Sequence, residues 1–320
     1  MEWCLHIKSA DDLKGELNPG RIAAFESSAI IQPHIALAAR LVREYFGEVN
    51  FTACAFGNEF CEHLLPSPAA LEAVINAAQS RNLRFTFLTP YVSNAGLAEL
   101  TPLLELLAKH NNSEVVFNDW GVLNLVRREF PSLIPVQGRL LNKSLRDPRV
   151  TTMYATAPAP PATLSVLQRS NLDCDSYTGF LSQLGVRMIE MDNLPQGNDL
   201  SFTENGISVA VSLPFGFIST SRICMAAGLH YRKPEKFQPG APCRHECQTH
   251  LLEYTWSNSP FANRDQKFYL KGNTYFYAHS EAMLRALFEQ AATGLIARLT
   301  LQPRLPMMTV RQITSRSDQE

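Results

Sequence analysis

LRFTFLTP, residues 83–90, and EVVFN, residues 114–118, are two short runs rich in aromatic and β-branched residues. A helix-length amphipathic segment, 96–109, lies between them. A strand, a helix and a second strand in that order make the repeating unit of a parallel sheet. The unit continues in both directions. Upstream, EVNFTACAF (48–56) reads as a strand ending at Gly57, and 68–81 as a helix with Leu71, Val74, Ile75 and Ala78 at helical spacing. Downstream, 121–129 reads as a short helix and 134–141 as a fourth strand. The pattern loosens over 149–161, where Pro158, Pro160 and Pro161 demand a loop or an extended piece. Strands resume at 185–192 and 207–214, and 267–277 and 295–303 complete the series.

About eight strands with helices between them favour an α/β fold of the (β/α)8 TIM-barrel type. A doubly wound open sheet is the alternative. The expected organisation is one domain over 1–320, with an N-terminal extension (1–47) and a flexible polar tail at about 310–320.

Charged residues are 18% of the chain, below the roughly 25% of an average soluble domain. The formal net charge is −1, which offers no broad attraction to nucleic acid or anionic membrane. No run of about 18 apolar residues is present, and residues 1–6 lack the basic and apolar regions of a signal peptide. A cytoplasmic protein is expected.

Seven cysteines then need a chemical role. A reducing compartment disfavours disulfides, and the odd count argues against a disulfide framework. Cys4, Cys54 and Cys174 suit the role of small buried hydrophobes. Cys224, Cys243 and Cys247 lie close together, the last two as Cys-Arg-His-Glu-Cys. Cys61 follows the 48–56 strand, and Cys224 follows the 207–214 strand. The C-terminal rim of a barrel, where active sites sit, would gather all four. Four thiolates suit tetrahedral zinc or an iron–sulfur cluster. The chain has no paired C-x2-C knuckles, and one ligand comes from more than 160 residues away, which favours the cluster. The alternative is that Cys61 is unrelated and the C-x3-C pair incidental. His250 completes a C-x3-C-x2-H run, but a radical S-adenosylmethionine motif requires a third cysteine.

Several segments together resemble the collagenase-like U32 peptidase family. They are VVFNDWGVLN (115–124), VQGRLLN (136–142), Cys61 after Gly57-Asn58-Glu59, Cys224 after Ser221-Arg222-Ile223, and the Cys243/Cys247 pair. The match runs from about residue 48 to about 303 and is most similar to the UbiV branch of that family. The resemblance implies a barrel and a [4Fe-4S] cluster on Cys61, Cys224, Cys243 and Cys247. It also implies oxygen-independent hydroxylation of a ubiquinone precursor or an RNA base, with prephenate as oxygen donor and a homologous UbiU-like subunit as heterodimer partner. Asp119, Asn124 and Asn142 match its motif positions. A non-catalytic iron–sulfur subunit and a protease are the other classes; no Gly-x-Ser-x-Gly or His-Glu-x-x-His is present for the latter.

The remaining candidates are polar. Arg139, Lys143, Arg146 and Arg149 form a basic cluster suited to a carboxylate or phosphate, or a solvated face paired with Asp147. Arg139, Arg146, Asp119, Asn124 and Asn142 are the expected substrate-binding set. Asp119 and Glu59 are acid–base candidates, though Asp119 equally suits a helix N-cap. Glu190 and Asp192 end a strand on the active rim. His230, His245 and His250 stand near the cysteines, where they suit hydrogen bonds to sulfur. Arg232, Lys233 and Lys236 make the segment between Cys224 and Cys243 basic.

Overall fold

The computed structural model describes residues 1–26, 28–149, 160–236, 243–255 and 266–307. Eight parallel strands close a barrel. They are β1 (Glu2–Ile7), β2 (Ala53–Gly57), β3 (Arg84–Leu88), β4 (Glu114–Phe117), β5 (Ile134–Gln137), β6 (Met188–Asp192), β7 (Ser208–Leu213) and β12 (Arg298–Leu301). Closure is made by β1. Its residues Glu2 to Leu5 pair with Arg298 to Leu301, and Cys4 to Ile7 pair with Ala53 to Phe56. An open doubly wound sheet is thereby excluded.

Helices α1 (Gln32–Phe46), α2 (Pro68–Gln79), α3 (Asn94–Leu107), α4 (Trp120–Glu129), α5 (Pro161–Gln168), α6 (Asp175–Gln183) and α7 (Glu281–Ala292) cover the outside. Their starts are set locally. Ser67, Ser93 and Ser280 each accept a backbone N–H from three residues on, and Asp119 accepts from Gly121. Such caps satisfy donors that the first helical turn leaves open.

Alternation along the strands divides the barrel. Leu5, Ile7, Phe56, Phe87, Val115, Phe117, Ile189 and Leu299 point out into the main core under the helices. Cys4, Ala53, Ala55, Leu88, Val116 and Val136 point in. At the N-terminal end, Arg298 plugs the barrel. Its guanidinium makes bonds of 2.7 and 2.8 Å to Glu114 and 2.6 Å to Glu2, and Thr86 donates to Glu114 at 2.7 Å.

Two strand expectations change. The chain's first barrel strand is Glu2–Ile7, inside the segment read as an extension. Residues 267–277 are not a barrel strand but a hairpin, β10 (Lys267–Lys271) and β11 (Thr274–Ala278). With β8 (Phe215–Thr220) and β9 (Leu252–Thr255) they form a four-stranded antiparallel sheet ordered β8-β11-β10-β9. Phe215, Phe217, Tyr269 and Phe276 of this sheet pack with Phe60, Leu140 and Leu305, which follow β2, β5 and β12. The sheet therefore sits over the C-terminal mouth. The proline-rich loop expectation at 149–161 falls largely outside the described residues, as does the tail from 308 on.

Candidate functional site: a four-cysteine cavity beside a basic cleft

Three separate segments bring cysteines to one small cavity of about 70 Å³, lined by Cys61, Cys224, Cys243 and Cys247. Cys61 follows β2, Cys224 follows β8, and Cys243 and Cys247 precede β9. Cys247 is buried and the other three are half-buried. Each sulfur meets an N–H. The main chain of Ala227 donates to Cys224 at 3.4 Å, and that of His245 donates to Cys243 at 3.4 Å. The Gln248 amide donates to Cys247 at 3.4 Å, and the His63 main chain donates to Cys61. Donors aimed at sulfur favour the thiolate over the thiol.

Burial opposes them. It pushes Cys61 up to about 12 and Cys247 up to about 11, and raises Cys224; the neighbouring thiols add to the effect. Cys61 and Cys247 therefore keep their protons at neutral pH, and a metal group bound at them would release those protons. Four soft donors with N–H bonds on every sulfur fit an iron–sulfur cluster in their chemistry. Among the described residues, no group of three or more His, Cys, Asp or Glu side chains is arranged to hold a metal ion.

A second opening adjoins the first. It is a cleft of about 730 Å³ lined by Tyr91, Asn142, Lys143, Arg146, Phe217 and Thr220, among others. A thin wall separates the two. The Arg222 guanidinium, which lines the cysteine cavity, lies over the Tyr91 ring at 5.5 Å. The Tyr91 hydroxyl lies 3.0 Å from the Asn273 amide nitrogen and 3.4 Å from the Thr220 hydroxyl. Tyr91 thus faces the cleft while its hydroxyl touches a residue of the cysteine cavity.

Beneath the cleft lies a buried ion lattice. Arg139 is 0% exposed. It makes a two-pronged pair with Glu59, at 3.0 and 2.8 Å, and a third bond of 2.9 Å to Asp192. Asp192 also receives Arg146 at 3.1 Å, and Arg146 stacks on Phe217 at 4.4 Å. Burial and the Glu59 charge push the nearby Glu190 carboxyl up to about 8. Burial lowers His6 to about 4 and His279 to about 3, so both rings are neutral.

Glu190 has a readable consequence for pH. In the native state it keeps its proton up to about 8, whereas the unfolded chain releases it near the ordinary value of 4.5. The stability this group contributes is complete below 4.5 and is lost as pH rises to about 8. A Glu190→Gln variant lacks that loss. Denaturant midpoints should rise in the variant relative to the parent as pH increases through this window; parallel curves would refute the assignment.

The expected site residues are distributed unevenly. The four cysteines share one cavity. Asn142 and Arg146 line the cleft with Lys143 and Arg149. Arg139 does not reach the cleft; its guanidinium lies in the floor, held by Glu59 and Asp192. Asp119 caps α4, with 2.7 Å to the Gly121 N–H, and Asn124 is exposed on the same helix. Cys174 is not buried but exposed, whereas Cys4 and Cys54 lie in the core. The His230 imidazole lies 3.4 Å from Glu246, and His250 contacts the Glu246 carbonyl at 3.1 Å. Of the three candidate histidines, His245 reaches a sulfur, and does so through its main chain. Arg232 and Lys233 are exposed, and residues 237–242 lie outside the described set. Tyr91 and Asn273 were not expected, and Arg222, read in the sequence only as part of the stretch before Cys224, lines the cysteine cavity. The signal available for Asn273 was its place after Gly272 in KGNT, a two-residue hairpin turn.

No protein-family model matches this chain, and no curated protein matches it. Among solved structures it is similar to the U32 peptidase Mk0906, at 10% identity over 96% of this chain and 94% of that one, with a TM-score of 0.43. It is also similar to a glycoside hydrolase family 18 N-acetylglucosaminidase from Paenibacillus barengoltzii, at 8% identity over 94% of each chain, with a TM-score of 0.35. A group IV chitinase from Ostrinia furnacalis follows at 7% identity over 94% of this chain and 91% of that one, with a TM-score of 0.27. Among the described residues, no helix is long and apolar enough to cross a membrane.

Proposed function

We propose that this chain is a U32-family iron–sulfur protein of the UbiV type, acting in oxygen-independent hydroxylation of a ubiquinone precursor together with a UbiU-like subunit. The observation that carries the reading is the meeting of Cys61, Cys224, Cys243 and Cys247 on one cavity, each with an N–H at its sulfur. A [4Fe-4S] cluster held there supplies one-electron or Lewis-acid chemistry when bound.

The chain's own residues supply the rest. Lys143 gives the cleft positive charge, while Arg146 on its wall is held by Asp192, by the Asn142 and Arg139 carbonyls and by the Phe217 ring. That arrangement suits a small carboxylate, with prephenate as the oxygen donor the family resemblance suggests. Tyr91 is shared by the cleft and the wall of the cysteine cavity, so it lies between a ligand in the cleft and whatever the thiolates hold.

A second reading, a non-catalytic iron–sulfur subunit serving its partner, is favoured by two aromatic side chains left at the surface. Trp120 is 41% and Phe180 45% exposed, with ring centroids 5.9 Å apart. Exposed aromatic groups of this kind are common at protein interfaces.

Protein purified without oxygen should be brown and carry iron and acid-labile sulfide; colourless protein with stoichiometric zinc would overturn the cluster. A strain lacking the chain, grown without oxygen, should accumulate the unhydroxylated quinone precursor. Loss of a modified RNA base with quinones intact would move the activity to RNA.

A further inference from the structure

The four cysteines do not hold one another in place. They come from segments with no shared strand, and something must set their mutual distances. The turn between β10 and β11 does so in geometry. Its tip, Gly272-Asn273, reaches into the cysteine cavity.

Asn273 is 6% exposed. Its two side-chain N–H groups face the Phe60 carbonyl at 2.7 Å and the Ser221 carbonyl at 2.6 Å, with the Tyr91 hydroxyl 3.0 Å from the same nitrogen. Phe60 is the residue before Cys61, and Ser221 lies three residues before Cys224. One amide therefore bonds both segments. Its oxygen accepts the Thr274 hydroxyl at 2.9 Å, which fixes which end of the amide faces the two carbonyls. The turn's main chain adds to this. The Asn273 carbonyl accepts from Ser221 N at 3.3 Å, and the Gly272 carbonyl accepts from Ala226 N at 3.1 Å.

The third segment is held by contact. Gly272 has φ +63°, and a Cβ there would stand 3.2 Å from Cys247 Cβ and 2.6 Å from Met307 Cε. The turn thus packs directly on Cys247. A side chain at 272 would be strained both by its backbone and by its neighbours.

We propose that Asn273 is the positioning residue of the four-cysteine site, tying the Cys61 segment to the Cys224 segment while the adjoining Gly272 sets the approach of Cys247. The proposal rests on the reading of the four thiols as one ligand set. It assigns Asn273 no contact with the bound group. Its effect runs through the two carbonyls it holds.

Asn273→Asp is nearly isosteric but loses both N–H donors and turns an oxygen toward the Phe60 and Ser221 carbonyls. In metal-free protein, alkylation of Cys61 and Cys224 by iodoacetamide, followed by mass spectrometry, should accelerate about tenfold, the scale of losing a buried hydrogen bond. Core Cys4 and Cys54 should stay unreactive. After reconstitution with ferrous iron and sulfide, the same variant should retain several-fold less iron and show a weaker visible band. Thr274→Val, which removes the orienting hydroxyl together with its 2.8 Å contact to Thr220, should move both readouts the same way by less. It decides the matter if Asn273→Asp exposes Cys4 and Cys54. Unchanged alkylation of Cys61 and Cys224 in a folded variant would overturn the positioning role. A parent protein that takes up no iron would instead sink the cluster reading, and the alkylation rates would still judge Asn273.

Discussion

Replacing Arg139 with methionine should destabilise the fold by about 3–5 kcal/mol, the usual cost of removing one partner from a buried ion pair. The guanidinium is fully buried and binds two carboxylates at once, Glu59 by both prongs and Asp192 by a third bond. Methionine fills much of the volume but leaves Glu59 and Asp192 facing each other and the nearby Glu190 without the cation between them. Asp192 keeps Arg146, so the lattice would not collapse entirely. Adding Glu59→Gln to the variant should recover part of the loss, because the two changes remove opposite charges from one network. The measurement is the denaturant midpoint, with Lys14→Met as the reference. Lys14 pairs with Asp11 at the surface, and its removal should leave the midpoint unchanged. An Arg139→Met midpoint equal to that of the parent would mean that the lattice contributes nothing to stability.

Cys61→Ala, Cys224→Ala, Cys243→Ala and Cys247→Ala should each lose most of the bound iron and the visible band, while Cys174→Ala keeps both. Cys174 is exposed at the start of α6 and lines neither opening. Burial raises the Cys61, Cys224 and Cys247 thiols, and the neighbouring cavity thiols add to the effect. Under the proposed cluster, loss of one thiolate would leave one corner without a protein ligand, and anaerobic iron and sulfide assays read this directly. Iron retained by the Cys61 variant and lost from the Cys174 variant would show that the fourth ligand is misassigned.

The parts of the fold legible in the sequence were those written locally. Residues 68–129 carry their caps, periodicity and strand runs in order, and the helices and strands there fall where the pattern puts them. Strand β1 was hidden because its inward residues are Cys4 and His6, which break a simple apolar run. The 267–277 hairpin was hidden because its turn has only two residues, so two strands read as one. The sequence placed Cys224 on the barrel rim after the 207–214 strand, but it follows β8 of the antiparallel sheet, and it shares its cavity with Cys61, Cys243 and Cys247 because that sheet folds back over the mouth. Arg139 was legible as a charge but not as a floor. Its partners lie 80 and 53 residues away, and no local pattern encodes that meeting. The same holds for Asn273, whose contact with Phe60 spans 213 residues.

The seam between β1 and β12 has a consequence for how the chain is made. Glu2 pairs with Arg298, so β1 must wait for β12, far along the chain, before its second edge is covered. All four cavity cysteines emerge before that strand. A nascent chain can therefore display its thiols on an unclosed sheet, with an open strand edge that invites mispairing with another copy.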